Sequence, residues 1–237
     1  MSKKMKFYIY LIEKYAEYKN ISTTIIVNKL EELNLTKLIY NMYEQYHIEA
    51  IENAVDVFPD GERKTNGIID KCKDLEILGF KPEILDLRNY FGKKDELFEF
   101  LKTRKAYYAI GGNAFVLRTA MKLSGFDEYL KMVSKLPDYL YSGFSAGICV
   151  LSTDLRGIHL VDPTDIYPYE EKITTWEGIG LIDYMPVPHY DTPEHKESSF
   201  MYDVVKYLEK NNLPYRTLRD GDVIIEDLSA NKKIQQR

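Results

Sequence analysis

The chain has 237 residues, 45% hydrophobic and 29% charged, with 37 acidic against 32 basic side chains and a net charge of −5. That is the balance of a globular protein with a sizeable core, and charge spread along the whole chain, with no basic block, argues against a nucleic-acid partner. Cys72 and Cys149 offer no disulfide framework, and the longest uncharged run falls short of the roughly 20 residues of a spanning helix, so a cytoplasmic protein with no signal peptide and no membrane partner is expected.

In chain order, the first fifty residues read as helices. Phe7, Leu11, Tyr15 and Tyr18, then Ile26, Leu30 and Leu33, then Leu38, Met42, Tyr46 and Ile48 recur at three- and four-residue spacing. Ser22 and Thr36 stand where N-caps would. Residues 1–52 contain no glycine and many tyrosines. They are expected to form a small helical unit that packs or binds a partner, ahead of an α/β domain over 53–237. From residue 53 short apolar runs read as strands over 54–59, 82–87, 106–110 and 139–144. Helices are expected over 68–78, 97–102, 115–124 and 129–135. Strands alternating with helices predict βαβ units and a parallel sheet, whose sites form at the carboxyl ends of the strands.

Two stretches fall at such ends. In the first, Gly111 and Gly112 follow a strand and Asn113 leads into a helix; glycines let the backbone approach a ligand, and amides at a helix start point toward negative charge. A plain tight turn is the competing reading, and the GxGxxG spacing of a dinucleotide site is missing. The second is Gly143-x-Ser145-x-Gly147 between a strand and a helix. There the flanking glycines permit a sharp turn, the hydroxyl is presented at the sheet edge, and the following amide can stabilise an oxyanion.

A serine nucleophile needs a base. His47 falls in the helical segment, His159 in the strand-like run "GIHLV", and His195 in a charged loop, whereas His189 follows the apolar "MPVP" at a strand-to-loop transition. His189 is the expected base. A metal site on His189, Asp191 and His195 is the rival, without the spacing that would make it specific.

Taken together, "GGNAFVL", "GFSAGICV", the Asp162 region and "PVPHYD", in that order, resemble the signature blocks of the dipeptidase E family. These are serine peptidases on a sheet similar to that of class I glutamine amidotransferases, a flavodoxin-like sandwich with helices on both faces. The resemblance runs from about residue 54 to about 227. It implies hydrolysis of short peptides through an acyl-enzyme, with Ser145 as nucleophile, His189 as base, an acid between them in sequence, and the amides of Gly112 and Ala146 as oxyanion hole. Gly111 and Asn113 would border the substrate. Asp162 fits the acid position best, with Asp154 and Asp165 competing. No metal or cofactor is implied, and a homodimer is compatible. The chain departs from the family in its helical opening, and after the histidine it offers Lys196 but no nearby arginine, so a preference for N-terminal aspartate does not follow. An esterase or amidase would use the same residues, and an inactive binding protein would keep the fold alone. Cys149, four residues beyond Ser145, stands outside the elbow where an amidotransferase carries its cysteine.

Overall fold

A computed structural model describes residues 19–36 and 47–229, together with residues 8, 9, 12, 13, 15 and 16. Four parallel strands form the main sheet in the order β2-β1-β3-β4: β1 His47–Ile51, β2 Lys81–Leu85, β3 Ala106–Ala109 and β4 Leu140–Gly143. Ile51 lies opposite Leu85 on one side and Ala109 on the other, and Ala109 in turn lies opposite Gly143. The chain crosses from β1 to β2 and then back past β1 to β3. The order reverses between β1 and β3, which opens a crevice beyond their carboxyl ends.

Helix α1 (Thr23–Glu32) precedes the sheet. Helices α2 (Glu62–Ile77), α3 (Lys94–Leu101), α4 (Ala114–Ser124), α5 (Phe126–Val133) and the short α6 (Ala146–Cys149) supply the crossovers and the turn after β4. A second pair of parallel strands, β5 (Met185–Val187) and β6 (Tyr215–Thr217), is connected through α7 (Ser198–Lys210). This is the expected α/β class with a parallel sheet. No helix among the described residues is long and apolar enough to cross a membrane.

The strand expected over 54–59 is a correction. Asn53–Val57 form a 3-10 helix, and the strand stands earlier, at His47–Ile51, where helical periodicity had been read. The side chain of Asn53 bends the chain: its Nδ2 donates to Asp56 Oδ2 (2.9 Å) and Asp86 Oδ1 (3.1 Å), and its Oδ1 accepts from Leu87 N. "GIHLV" likewise holds a 3-10 helix, Ile158–Leu160, instead of a strand.

The core joins buried aromatics to aliphatic residues. Tyr107 meets Phe126 edge to face at 5.4 Å, and the hydroxyls of Tyr107 and Tyr129 donate to the carbonyls of Arg104 and Leu101, so neither phenol is buried without a partner. In the N-terminal segment Ser22 caps α1 through Thr24 N, and Ile12, Ala16 and Ile26 form a small cluster of their own. Lys19 pairs with Asp222 at 3.2 Å. Thr36 is itself helical, not an N-cap, and accepts from Tyr8 Oη. The third expected helix otherwise lies outside the described residues, as does much of the first.

Candidate active site

The reason for glycine at 143 and 147 is the carbonyl of Ala109 on the neighbouring strand. A Cβ at position 143 would stand 2.8 Å from that oxygen, and one at 147 would stand 2.4 Å away. β4 and α6 can therefore both press against the end of β3, and the chain between them must reverse within two residues. Ser145 takes the bend at φ 51°, ψ −121°, a region that costs a non-glycine residue about 1–3 kcal/mol. Its carbonyl accepts from Ile148 and Cys149, while its hydroxyl is not spent on capping α6. This is the geometry of a nucleophile elbow, with Ala146 N at the head of the helix.

The Gly111-Gly112-Asn113 turn faces the end of β1. Asn113 N donates to Ala54 O (2.8 Å), and Gly112, at φ 155°, comes so close that a Cβ would lie 2.3 Å from the same oxygen. Gly111 is buried against the Phe144 ring. Among the described residues, neither the Gly112 nor the Ala146 amide donates to a backbone carbonyl. Asn113 does not reach toward a substrate. It is 2% exposed, its Oδ1 caps α4 through Val116 N (3.0 Å), and its Nδ2 donates to Pro163 O (2.8 Å).

His189 lies two residues beyond β5, a strand packed against α6; Cys149 Sγ approaches Pro186 O at 3.5 Å across that contact. Pairing continues past the strand ends, with Leu218 N donating to Val187 O and Tyr190 N to Leu218 O. The residues after β5 and β6 are thereby held side by side. That register delivers Asp220 to the imidazole: His189 Nδ1 and Asp220 Oδ1 are 2.6 Å apart, and the His189 side chain is 11% exposed. Asp220 is itself held by its N–H donating to Thr192 Oγ1 at 3.0 Å.

The acid expected at the imidazole is the main correction. Asp162 Oδ2 accepts from Ala114 N at 2.7 Å, at the head of α4 beside the Asn113 cap. Burial pushes its carboxyl up to about 7; the Ala114 N–H pulls the other way and the nearby Glu197 carboxylate adds to the rise. Asp154 is tied to Arg156, and Asp165 is exposed. Asp220 was missed because the short run "PYRTL" before "RDGD" did not register as a strand. A strand followed by an Asp-Gly turn was the available signal.

His195 lies flat on His189, ring centroids 3.6 Å apart and planes 4° from parallel. Donor atoms of His189, His195 and Glu197 all fall within 4.8 Å of one another. Asp191, the third member of the metal set read from the sequence, instead bonds Tyr202 and Arg219. A ring nitrogen offers its lone pair in the ring plane, so two parallel stacked imidazoles aim past one another and do not converge on one ion. The Cys149 thiol is buried in α6 and pushed upward by burial and by Asp162, an inert setting for sulfur.

Comparison with known proteins gives matches to two family models. Residues 61–232 match the family model described as Peptidase family S51, and residues 6–57 match one described as a protein of unknown function, DUF3791. The uncharacterized peptidase Lmo0363 of Listeria monocytogenes serovar 1/2a is 30% identical over 125 residues, which take in 53% of this chain and 58% of that relative, little more than half its length. The uncharacterized peptidase Lin0382 of Listeria innocua serovar 6a is 27% identical over 157 residues, 64% of this chain and 72% of the relative. A crystal structure of a Listeria monocytogenes EGD-e protein described as a candidate peptidase E superposes with a TM-score of 0.56 at 25% identity, over 73% of this chain and 78% of the other.

Proposed function

Because the chain belongs to peptidase family S51, we propose that it is a serine peptidase acting on short peptides, with Ser145 as nucleophile, His189 as base and Asp220 as the acid that orients the base. The observation that carries this reading is the strained elbow at Ser145, held by glycines that the Ala109 carbonyl demands. Strain of this kind persists where the surrounding structure enforces it, and it concentrates at functional positions.

In the proposed reaction the Ser145 hydroxyl attacks a peptide carbonyl while His189 Nε2 takes its proton. Asp220 accepts the Nδ1 hydrogen and so keeps the other nitrogen free as the base. The oxyanion is met by the amides of Gly112 and Ala146. His189 then gives its proton to the leaving amine, and water repeats the sequence on the acyl-enzyme, returning Ser145 with its hydrogen.

The test is hydrolysis of a panel of short peptides by wild type and Ser145→Ala, together with labelling by a fluorophosphonate reagent and melting curves. Ser145→Ala is expected to lose labelling and to fall roughly 10⁶-fold in rate, equivalent to about 8 kcal/mol of barrier, without loss of thermal stability. Equal rates in the two proteins would sink the nucleophile assignment. Esters cleaved and peptides left intact would make the protein an esterase, and no activity with no labelling would favour a binding protein on this fold.

A further inference from the structure

The stacked pair of histidines is not needed by a Ser-His-Asp mechanism, and its geometry restricts what charge the base can carry. We propose that His195 is a positioning residue for His189: its neutral ring lies against the imidazole, fixes the plane of that ring, and supports the positive charge His189 acquires when it takes the serine proton. This rests on the reading of His189 as the base.

The two rings stand 3.6 Å apart and 4° from parallel. Their nitrogens are held by different partners. His189 Nδ1 faces the Asp220 carboxylate at 2.6 Å, whereas His195 Nδ1 accepts the Glu197 N–H at 3.3 Å. A nitrogen that accepts carries no hydrogen, so His195 is neutral in this arrangement and its remaining hydrogen is on Nε2. The ring that meets Asp220 is therefore the one equipped to hold a proton. A neutral π face against a cation is attractive, but two imidazoliums at 3.6 Å repel.

The charges around the pair come from several elements. Asp220 follows β6, and Glu197 precedes α7 with Lys196 at 3.6 Å from its carboxylate. The Glu197 carboxylate lies close enough to Asp162 to raise its carboxyl, and the Asp191–Arg219 pair bridges the two flanking loops. The charge next to the His189 ring is therefore the Asp220 carboxylate, and the face of the ring is left to His195.

The test is substitution of His195, read first in NMR spectra of the His189 ring in the full chain carrying Ser145→Ala, so that the measurement does not depend on turnover. The His189 ring resonances are expected to carry the ring-current shift of a face-stacked neighbour, lost in His195→Ala and largely kept in His195→Phe, since phenylalanine keeps the π face. His189 resonances that His195→Ala leaves unmoved would overturn the proposal. In otherwise wild-type protein, His195→Ala should lower kcat/KM by about 5- to 30-fold, the equivalent of about 1–2 kcal/mol, with KM little changed, and His195→Phe should recover most of the loss. Phenylalanine no better than alanine, with melting curves showing both folded, would also overturn it. Failure of the serine reading would show separately, as absence of fluorophosphonate labelling in every variant that retains Ser145.

Discussion

At the scale of single residues, the site depends on contacts that are individually small and have few substitutes. Ser145 holds a positive φ between two glycines, at neither of which the Ala109 carbonyl leaves room for a Cβ. His189 also sits at positive φ, 58°, immediately before the segment that pairs with Leu218. The carboxylate on its Nδ1 belongs to Asp220, while Asp162 serves the head of α4. The two aspartates therefore have separable effects. Asp220→Asn should leave the fold intact and reduce kcat by up to about 10⁴, because an amide presents a hydrogen to Nδ1 and favours the wrong tautomer. Asp162→Asn should lose less than about tenfold in kcat and keep a cooperative melt, since the amide oxygen can still accept the Ala114 N–H at the head of α4. Steady-state kinetics and thermal melts of the two variants decide this. A larger kinetic loss in Asp162→Asn would return the acid role to that residue.

At the scale of elements, β1 holds the most unusual charge in the sheet. Glu49 is buried in the central strand opposite Glu83 on β2; Arg104 Nε stands 3.3 Å from Glu49 Oε1 but out of hydrogen-bond alignment, so neither Glu49 oxygen has a hydrogen-bond partner among the described residues. Burial pushes its carboxyl up to about 7, against the pull of Arg104 and with a further push from Glu83. The unfolded chain loses this proton near pH 4.5 and the folded protein near 7, so stability falls as pH rises through that interval and levels off above it. The full effect is on the order of 3 kcal/mol. Glu49→Gln should melt above wild type at pH 8 and near or below it at pH 5; parallel melting curves across that range would refute the assignment. This strand also shows what the sequence hid. The strand at Leu140–Gly143 and the elbow after it were legible because glycines and an apolar run mark a turn by themselves. "HIEAI" was not, because a central parallel strand is buried on both faces and lacks the alternation that marks a half-exposed one. Asp220 was hidden for a related reason: the strand before it, β6, spans Tyr215–Thr217 only, too short for any period to show, and that strand's pairing with Met185–Val187 is long-range.

At the scale of the whole molecule, the two family matches and the sheet divide the chain differently. The DUF3791 match ends at residue 57 and the peptidase match begins at 61, yet β1, which ends at Ile51, lies inside the first and pairs with strands inside the second. Residues before β1 carry their own small cluster around Ile12, Ala16 and Ile26, and the Lys19–Asp222 pair joins them to the sheet domain through side chains that are each about one-third exposed. Such a pair contributes roughly 0–1 kcal/mol. β1, by contrast, pairs on both edges and places Ala50 and Ile51 at 0% exposure. Removing it would separate β2 from β3 and leave the Ile110 N–H without the Ile51 carbonyl that receives it. A chain beginning at residue 45 is therefore expected to fold and keep the reactivity of Ser145 toward a fluorophosphonate, whereas one beginning at 53 should fail to fold. Circular dichroism, melting and labelling of the two proteins check this. A cooperative melt from the chain that begins at 53 would show that β1 is dispensable, and an unfolded product from the chain that begins at 45 would show that the helical segment is part of the fold it precedes.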